Sequence, residues 1–285
     1  MSSPGPRAAG HSGSAPDEHL YATELGDHGS RVVFLHGLFG QGKNWTTVAK
    51  ALSTDHRVLL LDLPDHGRSP WRDHVSYPEM AAAVARELRQ RDPVQGWAVV
   101  GHSMGGKVAM MLALTEPELV GRLCVVDMSP VRYAEIGQVP YVAAMRSVDL
   151  AHLGDRGQAD EQLRPEVPDP TIRGFLLQNL RRDKDPETRR DRWRWSLHLE
   201  VLGDELEELA DWPDPHRPPY PGPVLWIAGA NSDYITPETV GPMRTLFPRA
   251  RLITVKRAGH WVHAEQPEIF TATVRAFLAE SLHGA

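Results

Sequence analysis

Short apolar runs of strand length alternate along most of the chain with segments whose apolar residues recur at helical spacing. This alternation is typical of a mostly parallel sheet with helices on both faces, and it predicts the α/β fold class. We predict an early edge strand over residues 19–25, buried strands over 31–35, 57–61, 97–101, 122–126, 224–228 and 251–255, and helices over 45–52, 77–89, 104–114 and 267–281.

The alternation stops between residues 129 and 223. This segment is charged and shows helical stretches at 171–180, 187–202 and 205–209, followed by a Pro-rich exit. Because it is too long for a plain loop, we predict a helical cap over the carboxyl ends of the strands, where open α/β sheets bind ligands. The chain then divides into a core (19–128 and 224–285), an inserted cap (129–223) and a tail (1–18) whose Gly, Pro, Ser and Ala content predicts disorder.

Composition narrows the range of partners. The 285 residues are 41% hydrophobic and 24% charged, which is ordinary for a globular protein. The formal net charge of -6 gives no electrostatic support for a nucleic-acid partner, and no apolar run approaches membrane-spanning length. Cys124 is the one cysteine. A lone thiol cannot form an intrachain disulfide, so we expect a reducing, cytoplasmic compartment.

The most specific motif is Gly-His-Ser-Met-Gly at residues 101–105, between a predicted strand and a predicted helix. Gly101 and Gly105 lack a Cβ, so strand and helix can approach closely around a sharp turn at Ser103. The turn exposes the serine beside the first amides of the helix, whose partial positive charge suits a developing oxyanion. Ser103 is therefore the candidate nucleophile.

A serine hydroxyl needs a base to accept its proton. Among 14 histidines, His260 follows the last predicted strand, and strand ends on one side of a parallel sheet converge, so it can reach Ser103. An acid must orient that imidazole. Asp127, after the strand over 122–126, and Asp233, in the loop after the strand over 224–228, both occupy suitable positions.

Two backbone amides are the candidate oxyanion donors. Met104 follows the serine, and Leu38 lies in the His-Gly-Leu-Phe-Gly loop at 36–40, whose glycines let the backbone turn its amides inward. His36 in the same loop is expected to be a structural hydrogen-bonding residue. Candidate substrate-pocket residues are Phe39, Trp193, Trp195 and Trp261.

Metal binding is the less favoured interpretation of two histidine-containing segments. A His260–His263 pair lacks a third ligand, and His263 is expected to be a polar surface residue. The loop over residues 62–69, with Asp62, Asp65 and His66, is interpreted as a structural turn. We therefore expect neither a metal nor a cofactor. His102 is expected to point away from the site.

These motifs together resemble the α/β-hydrolase superfamily over residues 21–282, and within it the small bacterial esterases related to a mitochondrial abhydrolase. The resemblance is carried by residues 36–40, 62–69, 101–107, 126–130, 229–232 and 259–265. It implies the α/β-hydrolase fold and a serine carboxylesterase or thioesterase that cleaves short-to-medium acyl esters through an acyl-enzyme, with no cofactor.

The resemblance also bears on the acid. In this branch the acid follows the strand after the nucleophile helix, which is the position of Asp127. The commonest superfamily pattern instead has an aspartate three residues after Gly229, where this chain has Ser232 and Asp233 comes one residue late. We therefore favour Asp127. Asp65 is a further departure, since many relatives have Gly or Asn there.

The same scaffold supports other activities. The alternatives are a cofactor-free haloperoxidase or perhydrolase, a C–C bond hydrolase, a lyase, and a receptor that binds a ligand with low turnover. Ser103, His260 and an acid together favour a working enzyme.

Overall fold

The computed structural model describes residues 19–92, 96–134, 137–184 and 191–280. The tail predicted to be disordered, residues 1–18, lies outside the described residues. The strands are β1 (Ala22–Leu25), β2 (Ser30–Leu35), β3 (His56–Leu61), β4 (Trp97–His102), β5 (Val120–Val126), β6 (Leu180–Lys184), β7 (Asp191–Trp195), β8 (Val224–Gly229) and β9 (Ala250–Val255). The α-helices are α1 (Thr46–Leu52), α2 (Tyr77–Arg91), α3 (Met104–Thr115), α4 (Val139–Ser147), α5 (Arg156–Leu163), α6 (Pro170–Leu177), α7 (Leu199–Asp204), α8 (Leu206–Ala210), α9 (Pro237–Leu246), α10 (Val262–Glu265) and α11 (Pro267–Ala279).

Seven strands form the main sheet, in the order β1-β3-β2-β4-β5-β8-β9. β1 is antiparallel to β3, and the other neighbouring pairs are parallel. The predicted α/β-hydrolase fold class is confirmed. His102 at the end of β4 pairs with Val126 of β5, which in turn pairs with Ile227 of β8. The carboxyl ends of the central strands therefore lie side by side, and the loops that follow them share one edge of the sheet.

Alternate residues of the central strands pack into two apolar cores on opposite faces of the sheet. On β2, Val33 and Leu35 join the core that contains α2 and α3, and Val32 and Phe34 join the core that contains α1 and α11. All four side chains are fully buried. Burial on both faces explains why these strands read as continuous apolar runs in the sequence.

The segment over residues 129–223, which we call the cap segment, is not wholly helical. Besides α4 to α8 it contains the antiparallel hairpin of β6 and β7. The helix predicted over 187–202 is wrong for the described part. Residues 187–190 lie outside the described residues, Asp191–Trp195 is a strand, and α7 begins only at Leu199. Within β7, arginines alternate with Trp193 and Trp195, and this two-residue period with large aromatic residues favours a strand.

Within the described ranges, no helix has both the length and the apolar character that crossing a membrane requires.

Candidate active site

Ser103 lies on a strained turn between β4 and α3. Its φ of 53° and ψ of -120° are in a region that residues with a Cβ rarely adopt. A Cβ on Gly101 would lie 2.1 Å from the carbonyl oxygen of Gly105, and a Cβ on Gly105 would lie 2.5 Å from the carbonyl oxygens of Leu35 and His36. The close approach predicted for this motif is therefore present, and it fixes the serine at the start of α3.

His260 is oriented by Asp127. Nδ1 of His260 lies 2.8 Å from Oδ2 of Asp127, whose side chain is fully buried. The amide of Gly229 donates to Oδ1 at 3.0 Å, and the hydroxyl of Ser232 donates to Oδ2. Three donors from three segments thus hold this carboxylate in one orientation, with its charge facing the imidazole.

Asp233 does not take part in this arrangement. Its side chain is exposed and forms no hydrogen bond or ion pair with any residue that the structure describes. Of the two acids left open by the spacing of residues, the structure brings Asp127 to His260. Ser232, which stands where an aspartate is commonest in the superfamily, contributes a hydroxyl to Asp127 instead.

His260 and Ser103 line the same cavity, of about 170 Å³. The ring of Tyr234 stacks on the imidazole of His260 with 4.0 Å between centroids and 19° between planes. The stacking fixes the plane of the ring. Because Nδ1 binds Asp127, Nε2 is the nitrogen that can exchange a proton with a group in the cavity. The carbonyl oxygen of His260 accepts a hydrogen bond from the ring of His102 at 2.8 Å, which fixes the backbone as well.

The predicted oxyanion donors flank the serine. Met104 is the first residue of α3, so its amide has no carbonyl of the same helix to bind. The loop that carries Leu38 passes close to the serine, because a Cβ on Gly37 would lie 3.1 Å from Cβ of Ser103. Phe39, next in the loop, has a left-handed φ of 62°. Leu38 and Ser103 both line the cavity.

His36 supports this loop and is not placed as a base. Its Nδ1 donates to the carbonyl of Gly37 at 2.8 Å, and its Nε2 accepts from the amide of Leu63 at 2.9 Å. Burial lowers the pKa of His36 to about 4, so the ring is neutral at ordinary pH. Both ring nitrogens are occupied, in agreement with the structural role expected from the sequence.

The cap segment also holds the loop over residues 36–40, which carries the candidate oxyanion donor Leu38. The fully buried side-chain amide of Asn179 donates to the carbonyl of Phe39 at 2.8 Å and accepts from Nε2 of Gln41 at 2.6 Å. Gln178 binds the side chain of Asn44 at 2.8 Å. No sequence signal singled out Asn179, since Phe39 and Gln41 lie well over 100 residues away in the chain and these contacts depend on how the cap segment docks.

The cavity walls correct part of the predicted substrate pocket. Phe39 and Trp261 line the cavity as expected, whereas Trp193 and Trp195 do not. The β6–β7 hairpin turns Trp195 into the interior, where its Nε1 donates to the carbonyl of Met145 at 3.2 Å, and Trp193 lies beside Arg182. The cavity is lined instead by residues the sequence did not indicate, among them Tyr141, Ile172, Phe175 and Leu176.

His263 is buried, which corrects the expectation of a surface residue. It is 9% exposed and stacks on Trp45 with 4.2 Å between ring centroids, and its Nδ1 has no hydrogen-bond partner among the residues that the structure describes. His102 lies beside it, 4.8 Å away. His102 also lines the cavity, whereas its position beside the serine in the sequence predicts that it points away from the site. Burial lowers the pKa of His263 to about 3 and that of His102 well below its usual value.

The loop over residues 62–69 is a hydrogen-bonded turn. Asp62 accepts from the amides of Gly42 at 2.7 Å and Arg68 at 3.0 Å, and His66 donates to the carbonyl of Pro64 at 2.9 Å. Among the described residues, no group of three or more His, Cys, Asp or Glu side chains is arranged to hold a metal ion.

Comparison with known proteins agrees with this geometry. The family model for the alpha/beta hydrolase fold matches residues 30–267. The protein named sn-1-specific diacylglycerol lipase ABHD11 of Xenopus laevis is 41% identical over 257 residues, covering 88% of this chain and 80% of that relative. Esterase YbfF of Escherichia coli strain K12 is 30% identical over 249 residues, covering 87% of this chain and 93% of that relative. Among solved structures, a marine microorganism esterase superposes with a TM-score of 0.87 at 32% identity, covering 92% of this chain and 100% of that one.

The chain belongs to the α/β-hydrolase family, and it is an enzyme that acts on ester bonds. The resemblance to small bacterial esterases related to ABHD11, inferred from the motifs, is confirmed. Its substrates are accordingly small-molecule esters.

The three hydrogen bonds that hold Asp127 against His260, and the exposed position of Asp233, predict unequal effects for the two aspartates. Asp127→Asn should lower kcat for ester hydrolysis by roughly 10³-fold or more, because an amide cannot stabilise the imidazolium that forms at His260. Asp233→Asn is the matched control and should leave kcat within about twofold, in line with its exposed position. Steady-state kinetics of the two variants provide the comparison. Loss of activity in Asp233→Asn with a fully active Asp127→Asn would contradict the geometry.

The buried neutral histidines predict sensitivity to acid. His36, with a pKa lowered to about 4, and His66 and His263, each lowered to about 3, all titrate near 6.5 once unfolded. Below pH 6.5 the unfolded state therefore binds protons that the folded state does not, and the free energy of unfolding falls as the pH falls towards 4. His263→Phe removes one such group and should retain about 2 kcal/mol more stability than the parent between pH 6.5 and 4.5.

Urea unfolding of parent and variant at several pH values measures this difference. If the free energy of unfolding fell equally with pH in His263→Phe and in the parent over that range, His263 would not be a neutral buried group.

Proposed function

We propose that this enzyme is a serine carboxylesterase or thioesterase that cleaves short-to-medium acyl esters through an acyl-enzyme. The observation that carries the proposal is the 2.8 Å contact between Nδ1 of His260 and Asp127, beside a serine held on a strained turn. These are the parts that nucleophilic catalysis by serine requires. The esterase and lipase names of the relatives support the same class.

The mechanism begins with attack of Ser103 Oγ on the acyl carbonyl while Nε2 of His260 accepts the hydroxyl proton. Asp127 stabilises the imidazolium, and the amides of Leu38 and Met104 bind the oxyanion. His260 then donates its proton to the departing alcohol or thiol. A water molecule, activated by His260, attacks the acyl-enzyme and releases the carboxylic acid and the free serine.

The surroundings of the site suit this chemistry. Ser103 is 7% exposed and His260 is 13% exposed at its side chain, so little solvent competes for the two groups. The cavity wall is mainly apolar and aromatic, with Phe39, Ile172, Phe175 and Trp261 among its residues. Such a wall favours uncharged acyl substrates. The lone Cys124 is a buried free thiol, and we place the enzyme in a reducing, cytoplasmic compartment.

Hydrolysis of p-nitrophenyl acetate and butyrate, and of the butyryl thioester of N-acetylcysteamine, tests the proposal. The parent should hydrolyse esters, and Ser103→Ala should lose activity by roughly 10⁴-fold or more, because members of a triad act as a unit. Ser53→Ala, a change remote from the cavity, should match the parent. A Ser103→Ala variant as fast as the parent would remove Ser103 from the mechanism.

A further inference from the structure

Two cavities meet at Ser103. The larger, of about 170 Å³, contains His260 and Trp261 in its wall. The smaller, of about 40 Å³, is lined by residues of α3 and α8 and of the loop after β5, but not by His260. Its lining residues include Met104, Lys107, Met128 and Leu209. Both cavities share Leu38, Gln138 and Tyr234 with the serine. The serine therefore stands at a junction between two compartments of different size.

The direction of proton transfer assigns a role to each cavity. In the tetrahedral intermediate the carbon bound to Ser103 carries an oxyanion, a leaving group and an acyl chain. The oxyanion points to the amides of Leu38 and Met104, and the leaving oxygen or sulfur must lie next to His260, which gives it a proton. His260 lines the larger cavity and not the smaller one, so the leaving group extends into the larger cavity. The acyl chain then extends into the smaller cavity.

We propose that the smaller cavity is the acyl-binding subsite, that it limits the enzyme to short unbranched acyl groups, and that the larger cavity receives the alcohol or thiol. This assignment rests on the proposed serine mechanism. The smaller cavity has about 40 Å³ against about 170 Å³ for the larger one, and a cavity needs about 10–15 Å³ to hold one water molecule, so it has room for a short chain only. The acyl groups that fit are of about acetyl to butyryl size.

Hydrogen bonds hold α8, which forms part of the wall of the smaller cavity. Lys107 is fully buried, and its Nζ donates to the carbonyls of Ala210 and Asp211, each at 2.7 Å, and to that of Leu209 at 3.4 Å. The hydroxyl of Tyr77 also donates to the carbonyl of Leu209, at 2.7 Å. These bonds tie the cap segment to α2 and α3, and they hold Leu209, which lines the smaller cavity, in place.

The larger cavity has a different wall. Phe175 of α6 and Trp261 lie beside each other there, with 6.0 Å between ring centroids and 58° between ring planes. Aromatic rings at this position suit a planar or bulky leaving group. The two cavities can therefore be altered separately, since Leu209 lines only the smaller one and Phe175 only the larger one.

The test compares kcat/KM for p-nitrophenyl esters of acetate, butyrate, hexanoate and octanoate, and for butyrate esters of p-nitrophenol and 2-naphthol. The parent should favour acetate and butyrate. Leu209→Ala should raise the octanoate-to-butyrate ratio by about tenfold or more, because each methylene accommodated in an apolar pocket changes specificity by about this factor. Leu209→Phe should shift the preference towards acetate, which keeps the test informative if the alanine variant fails to fold.

Phe175→Ala is the matched change in the other cavity. It should alter the ratio between the p-nitrophenol and 2-naphthol esters and leave the acyl-length profile as in the parent. An acyl-length profile that follows Phe175 and ignores both Leu209 variants would overturn the assignment while leaving the serine mechanism intact. Failure of the parent to hydrolyse any ester would instead reject the proposed function itself.

Discussion

The site depends on a contact that only glycine permits. Gly101 and the carbonyl of Gly105 lie so close that a Cβ would fall 2.1 Å from that oxygen. Because of this contact, α3 starts directly beneath the end of β4, and Ser103 is forced into its left-handed conformation. Gly105 in turn packs against the end of β2. The amide of Met104, at the start of α3, and the loop after β2 that carries Leu38 are thereby brought close to Ser103. The same close packing strains the turn and places the candidate oxyanion donors beside the serine.

Adjacent strands supply the other residues of the proposed catalytic group. Val126 of β5 pairs with Ile227 of β8, so an acid after either strand can approach the histidine that follows β9. Here Asp127 follows β5, the last residue of β8 contributes the Gly229 amide to it, and the loop after β8 contributes the Ser232 hydroxyl. The cap segment adds two contacts to this arrangement. Asn179 donates to the carbonyl of Phe39 in the loop over residues 36–40, and Lys107 donates to the carbonyl of Ala210 in α8. The site is thus built jointly by the core and the cap segment.

Local patterns predicted what local physics controls. Buried parallel strands have continuous apolar runs, and the glycine spacing around Ser103 reflects a requirement within five residues, so the sheet, the turn and the loops that carry Asp127 and His260 were predictable. Contacts between distant segments were not. His263 is buried against Trp45, and Trp195 lies in the interior against Met145, 50 residues earlier in the chain. Neither neighbour is visible in the surrounding sequence. Asn179 looks like any cap residue until the cap segment docks on the core.

The central claim is that Ser103, activated by His260 and Asp127, is the residue that bonds to the substrate. Treatment with a fluorophosphonate, followed by peptide mass spectrometry, tests it most directly, because this reagent needs an activated serine hydroxyl and an oxyanion site. We expect one phosphonyl group per chain, on the peptide that contains Ser103, with labelling much slower in Asp127→Asn. Labelling of another residue, or an unlabelled Ser103 in the folded enzyme, would contradict it.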